Sequence, residues 1–195
     1  ATAAAIGELD GWPHFHNGVA AGLCFAPWAG AHDGADASGG RAGGDAGPPN
    51  PVTRSWIVYN KPPEPSYAHA GLLMALGLTG QLSVLSATDA FRYLSQEHDA
   101  TAVGVLLGMG AARKGSMDPA VSKMLLLHVP ARHPNTYPDL ELSPLVQAAA
   151  LVALGLLYQG SAHRLMTEVM LREIGRKPGA DGGRGREGYA LAAGL

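Results

Sequence analysis

The chain has 195 residues, 47% of them apolar, enough to bury a core, and its net charge of −2 gives no electrostatic reason to expect a nucleic acid or an anionic membrane as a partner. A single cysteine, Cys24, excludes an internal disulfide and a cysteine-built zinc cage, and no apolar run reaches the ~18 residues of a membrane span. Glycine is the unusual component, with 27 residues against a usual share of about 7%.

In chain order the glycines keep a phase. The unit is a small residue, three spacers, Ala or Gly, one further residue, Gly, then Leu or Ala. A first, weaker copy is His16-Asn-Gly-Val-Ala20-Ala21-Gly22-Leu23, with His where the small residue belongs. A Gly/Ala/Asp-rich run from Ala29 to Asn50, ending in prolines, reads as a flexible surface insertion. Trp56-Ile-Val-Tyr59 then reads as a short β-like run before prolines.

The second copy, Gly71-Leu-Leu-Met-Ala75-Leu76-Gly77-Leu78, has Ser66 as its helix cap and a break near Gly80. A second helical stretch follows over 88–96. The third copy is Gly104-Val-Leu-Leu-Gly108-Met109-Gly110-Ala111. Gly115 ends its helix, and Asp118-Pro119 opens the next as N-cap and first-turn proline.

Ser143-Pro144 opens the fourth copy in the same way, and Ala149-Ala-Leu-Val-Ala153-Leu154-Gly155-Leu156 lies in a helix running to about Gln159. Gly160 suits a left-handed C′ position, and Ser161 is placed to cap the following helix. In that helix Ala162, Leu165, Met166, Val169, Met170 and Ile174 recur at helical spacing on one face. Arg164, Glu168 and Arg172 lie on the other, Arg172 and Glu173 read as solvated, and Gly175 is the stop. After a loop at 177–185, Gly188-Tyr-Ala-Leu-Ala192-Ala193-Gly194-Leu195 starts a fifth copy.

Gly77, Gly110, Gly155 and Gly194 follow one another at 33, 45 and 39 residues, the span of two-helix repeats. The fold expected is all-α: an α-α repeat solenoid or toroid, of which this chain is a fragment cut inside an apolar stretch. Its parts are a partial repeat at 1–27, a low-complexity insertion at 28–55, helical repeats at 56–176, a loop at 177–185 and a truncated next repeat at 186–195. Half-repeats at both ends would leave apolar faces uncovered, so the isolated piece should be poorly soluble.

The first helix of each unit is apolar nearly all round and should be enclosed; the second is amphipathic, with one wet face. Each helix-interior glycine costs about 1 kcal/mol against alanine, so the phase needs a packing reason. Positions i and i+4 share a face, while i+6 lies roughly 240° further round. Small residues therefore clear two sides of one helix for close backbone approach. The structural positions are Gly22, Gly71, Gly77, Gly104, Gly108, Gly110, Ala149, Ala153, Gly155, Gly188 and Gly194. A bias toward Ala and Gly explains their abundance but not their phase.

Motifs of chemistry are weak. Gly110-Ala-Ala-Arg-Lys114-Gly115-Ser116 lacks the Gly-Lys-Ser/Thr order of a phosphate loop and follows no strand. His14 with His16, and His128 with His133, lack a carboxylate at ligand spacing. No serine sits in a nucleophile elbow, and Cys24 reads as a small core residue. No catalytic residue, cofactor or metal is assigned.

On these residues the units resemble proteasome/cyclosome repeats, a family shared by the largest subunit of the anaphase-promoting complex and by two large non-ATPase scaffold subunits of the proteasome regulatory particle. The cyclosome branch is resembled by Phe15-His-Asn-Gly-Val-Ala-Ala-Gly-Leu23, Trp56-Ile-Val-Tyr-Asn-Lys-Pro62, Ala70-Gly-Leu-Leu-Met-Ala-Leu-Gly-Leu78 and Leu106-Leu-Gly-Met-Gly-Ala-Ala112. Leu127-His-Val-Pro130, Tyr158-Gln-Gly-Ser-Ala-His-Arg164, Glu173-Ile-Gly-Arg176 and the stretch from Arg186 to Leu195 continue it.

The resemblance implies a non-catalytic scaffold of a ubiquitin ligase. It would hold a cullin/RING module, a Doc-domain subunit and tetratricopeptide-repeat subunits, in the nucleus and cytoplasm, and act on mitotic cyclins and securin. The rivals are a proteasome scaffold, an α/α-toroid enzyme, which needs paired carboxylates in a cavity, and a helical membrane fragment.

Overall fold

The computed structural model describes residues 2–25, 52–132, 142–176 and 186–195; the 29–50 insertion and the 177–185 loop lie outside them. The described residues are helical, with no strand among them. The helices are α1 Thr2–Leu23, α2 Arg54–Tyr59, α3 Tyr67–Leu78, α4 Ala87–Leu94, α5 Asp99–Ala112, α6 Pro119–Leu126, α7 Pro144–Leu157, α8 Arg164–Ile174 and α9 Arg186–Gly194. Gln81–Val84 and Pro130–Arg132 add short 3-10 turns.

The copies of the unit form one row: α1 packs on α3, α3 on α5, α5 on α7 and α7 on α9. A second layer covers one side, with α4 on α5, α6 on α7 and α8 on α9. This is the expected division into an enclosed row and a wet one. Ten of the fourteen residues of α5 are buried, on every side of the helix.

Most helix ends follow the local chemistry. Ser66 and Ser143 accept from the third backbone N–H of α3 and α7, and Asp118 accepts from two amides of α6, ahead of Pro119. Gly80, Gly115 and Gly160 have φ of 80°, 71° and 72°, the left-handed conformation that closes a turn between helices. Helix α4 begins with a reciprocal capping box between Ser86 and Asp89 and is shorter than expected, ending at Leu94.

Three expectations are corrected. The run at 56–59 is helix α2, because Thr53 caps it by accepting from the Trp56 N–H at 3.2 Å and because Ile57 is buried in the core. Its carbonyl accepts from the Tyr93 hydroxyl at 3.3 Å. Capping and packing override β-branched propensity over so short a run, and α2 begins at Arg54, with Thr53 as its cap.

Ser161 does not cap α8. Its hydroxyl turns back to donate to the Tyr158 carbonyl at 2.7 Å, and His163 is the N-cap, its Nδ1 accepting from the Met166 N–H at 3.2 Å. The face of α8 is also rotated from the one expected. Met166 and Val169 are buried, but Leu165 and Ile174 are exposed, and Glu173 is only 5% exposed.

Candidate functional site

The feature that the sequence phase builds is a set of seams where backbones of the inner row meet. A Cβ on Gly71 would fall on the Phe15 carbonyl of α1, and one on Gly104 on the Ala70 carbonyl of α3. One on Gly77 would strike Gly108 of α5, and one on Gly108 would lie 3.0 Å from Leu73 O and 2.7 Å from Leu82 Cδ1. A Cβ on Gly22 would lie 2.5 Å from the Ala75 Cβ, and one on Gly110 2.6 Å from the Ala153 carbonyl oxygen. Ala149 and Ala153, buried on α7, hold the positions of Gly104 and Gly108.

These contacts have the predicted geometry. The i and i+4 residues face the preceding helix of the row, and the i+6 glycine faces the following one. Real Cβ atoms do not approach backbone this closely, so a side chain at these points would push helices apart.

The rule stops at the far end of the row. Beyond its own helix, a Cβ on Gly155 would find its nearest heavy atom, the Leu195 carbonyl carbon, at 3.9 Å; one on Gly194 would find Ile174 Cδ1 at 3.9 Å; and one on Gly188 would meet nothing within 4 Å. Gly155, Gly188 and Gly194, expected as positions of close approach, therefore have no backbone of a neighbouring helix pressed against them among the described residues. Two seam positions were missed: Gly11, against the Tyr67 ring, and Gly18, against the Ala68 carbonyl. Their spacing, with Gly18 four residues before Gly22, was the signal available.

The turns tie neighbouring repeats together. Gly115 N–H donates to Leu156 O at 3.0 Å and Met117 N–H to Leu157 O at 3.1 Å, so the turn after α5 caps the last carbonyls of α7. Arg113, at the same turn, reaches back with one guanidinium to Ser83 O at 3.0 Å and Leu85 O at 2.5 Å. Burial pushes the Arg113 pKa down, and Asp118 at 3.7 Å opposes this. In the Gly110–Ser116 stretch the Gly115 amide is thus committed to the end of α7, and those of Lys114 and Ser116 to the carbonyls of Ala111 and Arg113 in the turn itself.

Between α2 and α4, Arg54 makes a bidentate pair with buried Asp89, at 2.7 and 2.6 Å. The guanidinium bond, more than the Ser86 contacts, holds this carboxyl well below the usual carboxylate range, against burial. Burial, with Lys61 adding, pushes His69 down to about 4. His98 caps α5 through Nδ1, 3.2 Å from the Thr101 amide, and is also pushed down by burial against the opposing pull of Asp99.

Cys24 is exposed rather than in the core. Among the described residues no three His, Cys, Asp or Glu side chains form a group able to hold a metal, and no helix is long and apolar enough to cross a membrane. His133 lies outside the described residues. Large side chains left in solvent include Leu23, Leu78, Leu145, Leu191 and Leu195, which occupy positions i−4, i+3 or i+7 of their units. These positions form one stripe along the row, at an angle to both seams.

Two family models cover the chain: APC1 fourth domain matches residues 2–114 and APC1 fifth domain matches residues 119–195. The boundary between them falls in the turn that Gly115 and Met117 fasten to α7. Among relatives, Anaphase-promoting complex subunit 1 of Arabidopsis thaliana is 45% identical over 97% of the chain and 10% of its own length. The Mus musculus and Homo sapiens proteins of that name are 44% and 42% identical over 96% of the chain, and 9% of their own length. The chain thus spans about a tenth of the relatives it matches.

Proposed function

The chain belongs to the family of anaphase-promoting complex subunit 1, and we propose that it forms part of a non-catalytic structural scaffold within that ubiquitin ligase. The observation that carries this reading is the row of helices α1, α3, α5 and α7 joined by backbone contact, from Gly18 against Ala68 to Gly110 against Ala153. Such contacts fix the helices relative to one another and leave little room for the hinge motion on which lids and clefts depend.

In this reading the row contributes geometry, and the longer polypeptide holds the cullin/RING module, the Doc-domain subunit and the tetratricopeptide-repeat subunits. The assembly marks mitotic cyclins and securin for destruction, and resides in the nucleus and cytoplasm.

The test is to purify the tagged full-length polypeptide at endogenous level and identify what travels with it. Cullin and tetratricopeptide-repeat subunits are the expected partners. Recovery of proteasomal ATPases in their place would assign the row to a proteasome scaffold. A fluorescent tag on the same gene tests the compartment.

A further inference from the structure

Helix α1 ends at Leu23, and Phe25, just beyond it, is held from two directions. Its ring lies 5.3 Å from that of Trp56 on α2, tilted by 56°. Its carbonyl accepts from Nε2 of Gln81 at 2.8 Å. Gln81 stands just past α3, where Nε2 also lies 3.3 Å from Oγ1 of Thr79, and that hydroxyl donates to the Ala75 carbonyl at 3.0 Å. The end of α1 is thus fastened both to the end of α3 and to α2.

Each holder is anchored on its own account. Trp56 packs against the core, Ile57 beside it is buried, and α2 is tied to α4 by Arg54 with Asp89 and by the Tyr93 hydroxyl on the Ile57 carbonyl. Val52, which leads into α2, is buried in the same core. Gln81 is only 2% exposed, and its Oε1 is buried without a partner. A buried acceptor left unpaired is costly, so Gln81 is a poor residue for filling space and a suitable one for holding Phe25. Two points far apart in the chain, Phe25 and Trp56, are closed on one another by side chains.

We propose that Phe25, Trp56 and Gln81 form a clamp that joins α1 to α2 in place of the peptide chain between them, so that this junction accepts changes in the length of that chain without passing them to the row. The entropy of closing a loop grows only slowly with its length, and with both ends held by side chains the difference does not reach the helices. The junction is then a point at which the row can carry added sequence.

The test uses the full-length polypeptide with residues 29–50 replaced by about eight Gly and Ser residues, enough to span the two sides of the clamp. Amide exchange in α1, α2 and α3 should stay within about twofold of the parent chain. A protease site placed in that linker should be cut with both parts still eluting together and α1 still protected.

Gln81→Leu nearly keeps the volume and removes the donor. It should speed exchange in the last turn of α1 and in α2 by about tenfold, with α5 and α7 unchanged. Trp56→Phe, which keeps a ring, should stay nearer the parent than Trp56→Ala. Faster exchange in α1 or α2 of the shortened or cut chain, or unchanged exchange there in Gln81→Leu, would overturn the proposal. The shortened chain alters no clamp residue and reads the junction even where a side-chain variant folds poorly.

Discussion

The hydroxyl of Tyr189 donates to Oε2 of Glu173 at 2.8 Å, joining α9 to α8 across sixteen positions of the chain inside the core. Arg176 reaches the same carboxylate oxygen at 3.5 Å. A buried carboxylate is costly unless its oxygens are hydrogen-bonded. Tyr189→Phe removes this hydroxyl donor and should destabilise the α8–α9 contact by about 1–3 kcal/mol. Amide exchange in the full-length polypeptide should then quicken in α8 and α9 while α3 and α5 keep their protection. Unchanged exchange in α8 would mean that the bond contributes little.

Gly115 tests the connection between turn and helix end. Its φ of 71° is one that L side chains rarely adopt, and a Cβ there would lie 3.1 Å from the Gln159 carbonyl oxygen. Gly115→Ala should cost about 1 kcal/mol or more. Its N–H caps Leu156, so the loss should appear as faster exchange at the C-terminal end of α7, a different helix from the one the glycine follows.

Acid should loosen the row in two windows. His69 ordinarily titrates near 6.5 but at about 4 in the fold, so below 6.5 the unfolded chain binds a proton that the folded chain refuses. Stability is therefore full above pH 6.5 and falls between 6.5 and about 4. His98, pushed the same way, adds to that slope. Asp89 has the same sign of linkage in a lower window. Its depressed pKa contributes stability above the unfolded value near 3.8, which is lost as pH falls further toward the folded value. His69→Asn should flatten the first window only, and Asp89→Asn the second, as read by denaturant midpoints across pH.

What could be read from the sequence was whatever depends on residues a few positions apart. The glycine phase, the caps at Ser66, Asp118 and Ser143, and the left-handed turns at Gly80, Gly115 and Gly160 all have local causes. What could not be read depends on neighbours distant in the chain. Glu173 looks solvated beside Arg172 until Tyr189 arrives from the next helix. Ile57 looks β-like until the core buries it. Ser161 was the better cap by type, yet the turn gives the position to His163. Gly155 carries the same phase as Gly110, but only Gly110 has a backbone against it.

That last contrast separates packing from composition. A Cβ on Gly110 would lie 2.6 Å from Ala153 O and 2.8 Å from its Cα, whereas one on Gly155 meets nothing closer than 3.9 Å. The decisive measurement is the thermal midpoint, with incorporation into the complex, of the full-length polypeptide carrying Gly110→Ala or Gly155→Ala. The seam geometry predicts that Gly110→Ala loses about 1–3 kcal/mol and assembles poorly. Gly155→Ala should be neutral or gain up to about 1 kcal/mol in helix propensity. Equal behaviour of the two variants would contradict the claim that the row is set by backbone contact at its glycines.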